Sequence, residues 1–164
     1  MQVERTISNV EVNGVPIKGT IDRLDFYPEQ RVHIVDYKTG RQSSSKVRSP
    51  GKTGSKYELG GPYWRQLIFY RMLFERQQPE ARVRSAEISY LEPDASGEFV
   101  RQVIEPTPQD VAFVRELLVT THGRIRRHDF FDGCGQEDCV WCNFVREHVP
   151  VDSFSRPEIE ALDD

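Results

Sequence analysis

Three cysteines in 164 residues are too few, and an odd number, for a closed disulfide framework. No apolar run approaches the ~20 residues that cross a bilayer. No charged-then-apolar leader with a small-residue cleavage site opens the chain, so a cytoplasmic domain with no membrane partner is expected. Apolar residues make up 37%, a low share that suits long polar loops around a single core. A chain of this length buries roughly 70% of its unfolded surface on folding. Net basicity is missing as well. The formal charge is −4, which is unlike a nucleic-acid binder unless the positive residues are clustered.

They are clustered. Between Arg41 and Lys56 lie five cations and no acid: Arg41, Lys46, Arg48, Lys52 and Lys56. Serine, glycine and proline fill much of the remainder, so the stretch reads as a mobile basic loop suited to phosphate contacts. A solvated loop with no ligand is the plainer alternative. Gly51-Lys52-Thr53 resembles the end of a P-loop, but Lys46 stands where the earlier glycine is required.

The loop leaves from two acid-bearing segments, Gly19-Thr20-Ile21-Asp22-Arg23-Leu24-Asp25 and Ile34-Val35-Asp36-Tyr37-Lys38-Thr39-Gly40. Pro28, Glu29 and Gln30 lie between them and read as a hairpin turn. The segments are then antiparallel neighbours, and Asp22 approaches Asp36. Alternate side chains of a strand share a face, so Asp36 and Lys38 point the same way. Two carboxylates suit Mg²⁺, which takes hard oxygen ligands and keeps several waters. Lys38 can orient an attacking hydroxide or stabilise developing negative charge. Taken alone, Asp-x-Lys is more often a surface ion pair.

Gly60-Gly61-Pro62 then opens a helix running to about Gln78, with proline tolerated in its first turn. Tyr63, Leu67, Tyr70 and Phe74 follow helical spacing, and Trp64, Ile68 and Met72 widen the apolar surface. Gln66 and Tyr70 share a face and can bridge a carboxylate, a lysine or a phosphate. Tyr70 by itself reads as a core aromatic. Val83–Leu91 and Phe99–Ile104 read as a strand and its return. Thr107-Pro108-Gln109-Asp110 caps a last helix with Val111, Val114, Leu118 and Ile125 at core spacing. Strands, a helix, more strands and a helix make a compact α/β sandwich.

Gly19-x-Ile21-Asp22-Arg23-x-Asp25, then Val35-Asp36-Tyr37-Lys38-Thr39-Gly40, then Gln66-x3-Tyr70 together resemble the RecB-type branch of the PD-(D/E)XK nuclease superfamily. The resemblance covers roughly residues 3 to 148. It implies a restriction-endonuclease-like fold, with a central mixed β-sheet flanked by helices. It also implies that Asp22, Asp36 and the peptide carbonyl of Tyr37 bind Mg²⁺ or Mn²⁺, that Lys38 is catalytic, and that Gln66 and Tyr70 complete the site. In that branch such domains often form the C-terminal part of UvrD-like or AddB-like helicase–nucleases, so DNA and the helicase motor of the same parent protein are the implied partners. Relatives usually carry an upstream helix, often with a metal-binding His. Here the residues before Gly19 alternate like a strand, so that helix is expected to be missing, and Glu4 is read as structural. A catalytically silent nucleic-acid-binding or docking module is the alternative.

Cys134-x4-Cys139-x2-Cys142-x5-His148 offers four ligands for a structural zinc. Packing of reduced cysteines around Trp141 and Phe144 is the alternative. Some relatives bind a four-iron cluster near this end, but His148 replaces the last cysteine, so such a cluster is not expected in this stretch. The domain is drawn as residues 1–150, with a Cys-rich turn at 133–148 and a flexible acidic tail from 151 to 164.

Overall fold

The computed structural model describes residues 1–129 and 137–148. Strands β1 (Gln2–Val12), β2 (Val15–Tyr27) and β3 (Arg31–Lys38) are followed by a 3₁₀ turn at Ser44–Val47. Helix α1 (Pro62–Gln77), strands β4 (Arg82–Tyr90) and β5 (Arg101–Ile104), and helices α2 (Pro108–Arg126) and α3 (Val140–His148) complete the order. The five strands form one mixed sheet in the order β1-β2-β3-β4-β5. All neighbours are antiparallel except β3 and β4, which run parallel because α1 makes the crossover between them.

Local chemistry explains the connections. The strand-like lead before Gly19 is two strands' worth of chain, turned at Asn13-Gly14 with φ of 49° and 78°. That dipeptide suits a two-residue hairpin whose central residues both need positive φ. Glu29 and Gln30 also take positive φ, 61° and 55°, to turn β2 into β3. Glu4 lies on β1 and is exposed, again with positive φ.

Helix α1 carries the core. Trp64, Leu67, Ile68, Tyr70, Met72, Leu73 and Phe74 are all buried, as its broad apolar surface requires. Most of them join one cluster with Ile7, Ile21, Leu24, Ile34, Ala86 and Ile88 from the sheet. Gly19 lets α1 come close, since a Cβ there would stand 3.0 Å from Leu73 Cδ2. Val114 of α2 packs on Trp64 and Ile68, and Asp110 closes the capping box by accepting from the Thr107 N–H at 2.8 Å. Ile125, expected in the core by spacing, is exposed. The chain divides into compact units at residues 1–121 and from 122 on. No helix among the described residues is long and apolar enough to cross a membrane.

The basic loop is more tightly held than its composition suggests. The Gly61 N–H donates to the Arg48 carbonyl at 2.7 Å, the Gly51 N–H to the Tyr57 carbonyl at 2.7 Å, and the Ser43 N–H to the Tyr90 hydroxyl at 3.3 Å. A Cβ on Gly61 would stand 2.2 Å from the Lys46 carbonyl oxygen, so only glycine permits this docking. Gly61→Ala is expected to push the turn away from α1 and cost about 1–3 kcal/mol. Denaturant unfolding checks it, and an unchanged midpoint would contradict the packing described.

Candidate active site

The β2–β3 ladder runs from Tyr27↔Arg31 to Arg23↔Val35 and stops one step short of the two acids. Beyond that point β2 continues beside β1, while β3 stays paired with β4 through Lys38↔Tyr90. The strands therefore fork at Asp22 and Asp36. At the fork Asp22 Oδ2 accepts the Tyr37 backbone N–H at 2.8 Å. The side chain takes over from a missing strand partner, which satisfies that amide and fixes the carboxylate.

By strand parity Asp36 shares its face with Val32 and Ile34, toward the core, and with Lys38 at the open end. Leu24 sits opposite Ile34, so Asp22 belongs to the same face. Asp36 is only 1% exposed. Lys38 Nζ lies 2.6 Å from Asp36 Oδ2 with its side chain 21% exposed. The contact is an ion pair between a buried carboxylate and a half-buried ammonium. Apart from it, Asp36 Oδ2 has no hydrogen-bond partner among the described residues.

The electrostatics follow from this placement. Burial pushes the Asp36 carboxyl above its ordinary range, the Lys38 ammonium opposes that rise, and the charge of Asp22 adds to it. Burial likewise pushes the Tyr70 hydroxyl up, with the charges of Asp36 and Asp22 reinforcing the shift. Gln66 Nε2 donates to the Tyr70 hydroxyl at 2.9 Å, the four-residue relation on α1. Tyr70 is thus both a core aromatic and a neighbour of the acids.

Five sequence-named residues, Asp22, Asp36, Lys38, Gln66 and Tyr70, thus meet at one end of the sheet, together with the Tyr37 peptide. A divalent cation fits this donor set. Two hard-oxygen carboxylates face the fork, one with an orphaned buried oxygen, and one or two carboxylates plus waters are what Mg²⁺ commonly takes. Among the described residues no group of three or more His, Cys, Asp or Glu joins to hold a metal.

The basic residues are distributed around two tyrosine rings that spacing did not single out as functional. Lys38 and Lys46 each lie 5.0 Å from the Tyr63 ring centroid. Arg48 and Lys56 lie 5.1 and 5.7 Å from that of Tyr57. Arg41 and Lys52 are exposed. Only the fold could reveal these pairings, because the tyrosines sit outside the run of cations or beyond its end.

The zinc set expected near the C-terminal end falls only partly within the described residues. Cys134 and the 151–164 tail lie outside the described residues. Cys139 precedes α3, Cys142 lies in its first turn and His148 at its end. A six-residue step sets Cys142 and His148 about 9 Å apart along the helix axis. His148 Nδ1 is 2.9 Å from the Phe144 carbonyl, and its ring stacks on Phe144 at 4.4 Å. Trp141 and Phe144 are exposed.

The family model described as the PD-(D/E)XK nuclease superfamily matches residues 1–146. This chain belongs to the PD-(D/E)XK nuclease superfamily. Its five-stranded mixed sheet with flanking helices is the restriction-endonuclease-like fold of that superfamily, whose nucleases generally use divalent metals. No curated protein matches the sequence. Among solved structures, the protein named "putative exonuclease" from Eubacterium rectale is similar, with 18% identity and a TM-score of 0.48, covering 87% of this chain and 51% of that one. SSO0001 is also similar, with 18% identity and a TM-score of 0.42, covering 73% and 50%. The chain spans about half the length of these solved structures.

A raised carboxylate pKa means the folded protein binds that proton more tightly than the unfolded chain does. The ionised Asp36 therefore costs stability above its raised folded value, and the cost fades as pH falls toward the unfolded value. In a chelator at neutral pH, Asp36→Asn is expected to unfold at or above the wild-type midpoint. A drop worth the ~3–5 kcal/mol of a broken buried ion pair would contradict this electrostatic account.

Proposed function

We propose that this is the DNA-cleaving domain of a helicase–nuclease acting in repair or recombination, hydrolysing phosphodiester bonds with Mg²⁺ or Mn²⁺. The observation that carries this reading is the fork itself, where a buried, unfilled carboxylate oxygen of Asp36 stands beside Asp22 and Lys38. A purely architectural sheet gains nothing from a buried acid whose desolvation a single ion pair offsets only in part.

In this proposal Asp22, Asp36 and the Tyr37 carbonyl hold the cation. Bound there, such a cation would neutralise phosphoryl charge and lower the pKa of a water. Lys38, at the open end of β3, orients the attacking oxygen or offsets negative charge at the scissile phosphate. Gln66 fixes the Tyr70 hydroxyl, which then limits how Asp36 turns. The parent's helicase motor would feed the strand, and the cations of the loop would hold its backbone.

A silent nucleic-acid-binding or docking module is the second reading, favoured by the absence of a third His, Cys, Asp or Glu ligand among the described residues. Cleavage separates the two. In the full-length protein that carries this domain, Asp36→Ala and Lys38→Ala are each expected to lower manganese-dependent DNA cleavage by at least about a hundredfold. Circular dichroism should show both still folded. Undiminished cleavage in both would remove the mechanism, and no cleavage by wild type would favour the silent module.

A further inference from the structure

Lys46 is the loop cation that reaches the catalytic end. Its ammonium donates to the Tyr63 hydroxyl at 3.3 Å and shares that ring with Lys38. Each nitrogen is 5.0 Å from the same centroid, so the two are separated by no more than twice that distance. Lys38 has Asp36 as its counter-charge. Lys46 is half-buried, and no carboxylate among the described residues pairs with it.

The turn that delivers Lys46 is built rather than incidental. The Lys46 N–H donates to the Ser43 carbonyl at 3.2 Å. The Gly61 backbone presses against the Lys46 carbonyl so closely that no side chain fits between them. Bringing two ammonium groups near one ring costs repulsion, and the ring's negative face offsets only part of it. An arriving anion removes the remainder. On the nuclease reading, the scissile phosphate goes to Lys38 and the carboxylate-bound cation, which leaves Lys46 for a different phosphate.

We propose that Lys46 and Tyr63 form a subsite for the phosphate flanking the scissile bond, so that the site takes a strand with at least two consecutive phosphates over a lone phosphodiester. This rests on the nuclease reading for its cleavage consequence but not for its binding consequence. Tyr63 acts here as a positioning residue. It holds Lys46 beside Lys38 and meets neither phosphate itself.

Two measurements on the full chain test it. In a chelator, where nothing is cut, fluorescence anisotropy follows binding of a labelled oligothymidylate. Lys46→Ala is expected to weaken binding about tenfold and to reduce the slope against log salt by about 0.7. Lys18→Ala, an exposed lysine on β2, should change binding less than about twofold. Tyr63→Phe should fall between wild type and Tyr63→Leu, because it keeps the ring and loses the hydroxyl. Equal effects of Lys46→Ala and Lys18→Ala, with unfolding midpoints unchanged, would overturn the subsite.

The second measurement compares manganese-dependent cleavage of a dinucleotide with one phosphate against one bearing an additional flanking phosphate. Wild type should prefer the latter by about tenfold in kcat/KM, and Lys46→Ala should bring that ratio close to one. Equal loss on both substrates would overturn the proposal. If wild type cuts neither, the nuclease reading fails, and the binding measurement still decides whether Lys46 takes a backbone phosphate.

Discussion

The site depends on one substitution of partners, in which the Asp22 carboxylate takes the Tyr37 amide where the β2–β3 ladder stops. Without that acceptor, a backbone N–H at the fork would have to find water or draw the strands back together. With it, β2 can leave β3 and run on beside β1 alone. Asp36 lies at that fork, deep enough for burial to raise its carboxyl and near enough to Lys38 for pairing. Helix α1 sets Tyr70 beside it, steadied by Gln66. Core packing and site assembly are thus the same event, because the helix that buries Leu67, Leu73 and Phe74 also brings Gln66 and Tyr70 to the acids.

The arrangement trades stability for readiness. A neutral residue at position 36 would suit the interior better than an ionised acid with an unfilled oxygen. The protein keeps the acid, and compensates it partly with an ammonium that can move out along its flexible stem. On the proposed reading, such a site would accept a hard cation in exchange for that partial compensation. Membership of the superfamily agrees with this reading, and the domain's place in a larger machine is part of the proposal.

Much of this was legible in the sequence because it rests on short periods. The alternation through Asp36 and Lys38, and the four-residue step from Gln66 to Tyr70, place those side chains regardless of tertiary detail. The hairpin from β2 to β3 follows from its polar turn, and the limits of α1 from Gly60-Gly61-Pro62 and Pro79. What periodicity could not show depends on long-range closure. Asn13-Gly14 carries a hairpin signal strong enough to have divided the strand-like lead into β1 and β2. The docking of the basic loop had no such local sign. Glycine and serine suggest freedom, yet Gly61 serves to admit the Lys46 backbone rather than to loosen the chain. Tyr63 reads from spacing as one more core aromatic, and only the fold sets two lysines on its ring. Ile125 keeps core spacing and is nonetheless exposed.

The most direct test is anomalous diffraction from crystals soaked in manganese. The account predicts one strong peak at the fork, about 2.0–2.2 Å from a carboxylate oxygen of both Asp22 and Asp36, with the Lys38 ammonium displaced from Asp36 Oδ2. A fully soaked crystal with no peak there, and Lys38 still seated on Asp36, would contradict it.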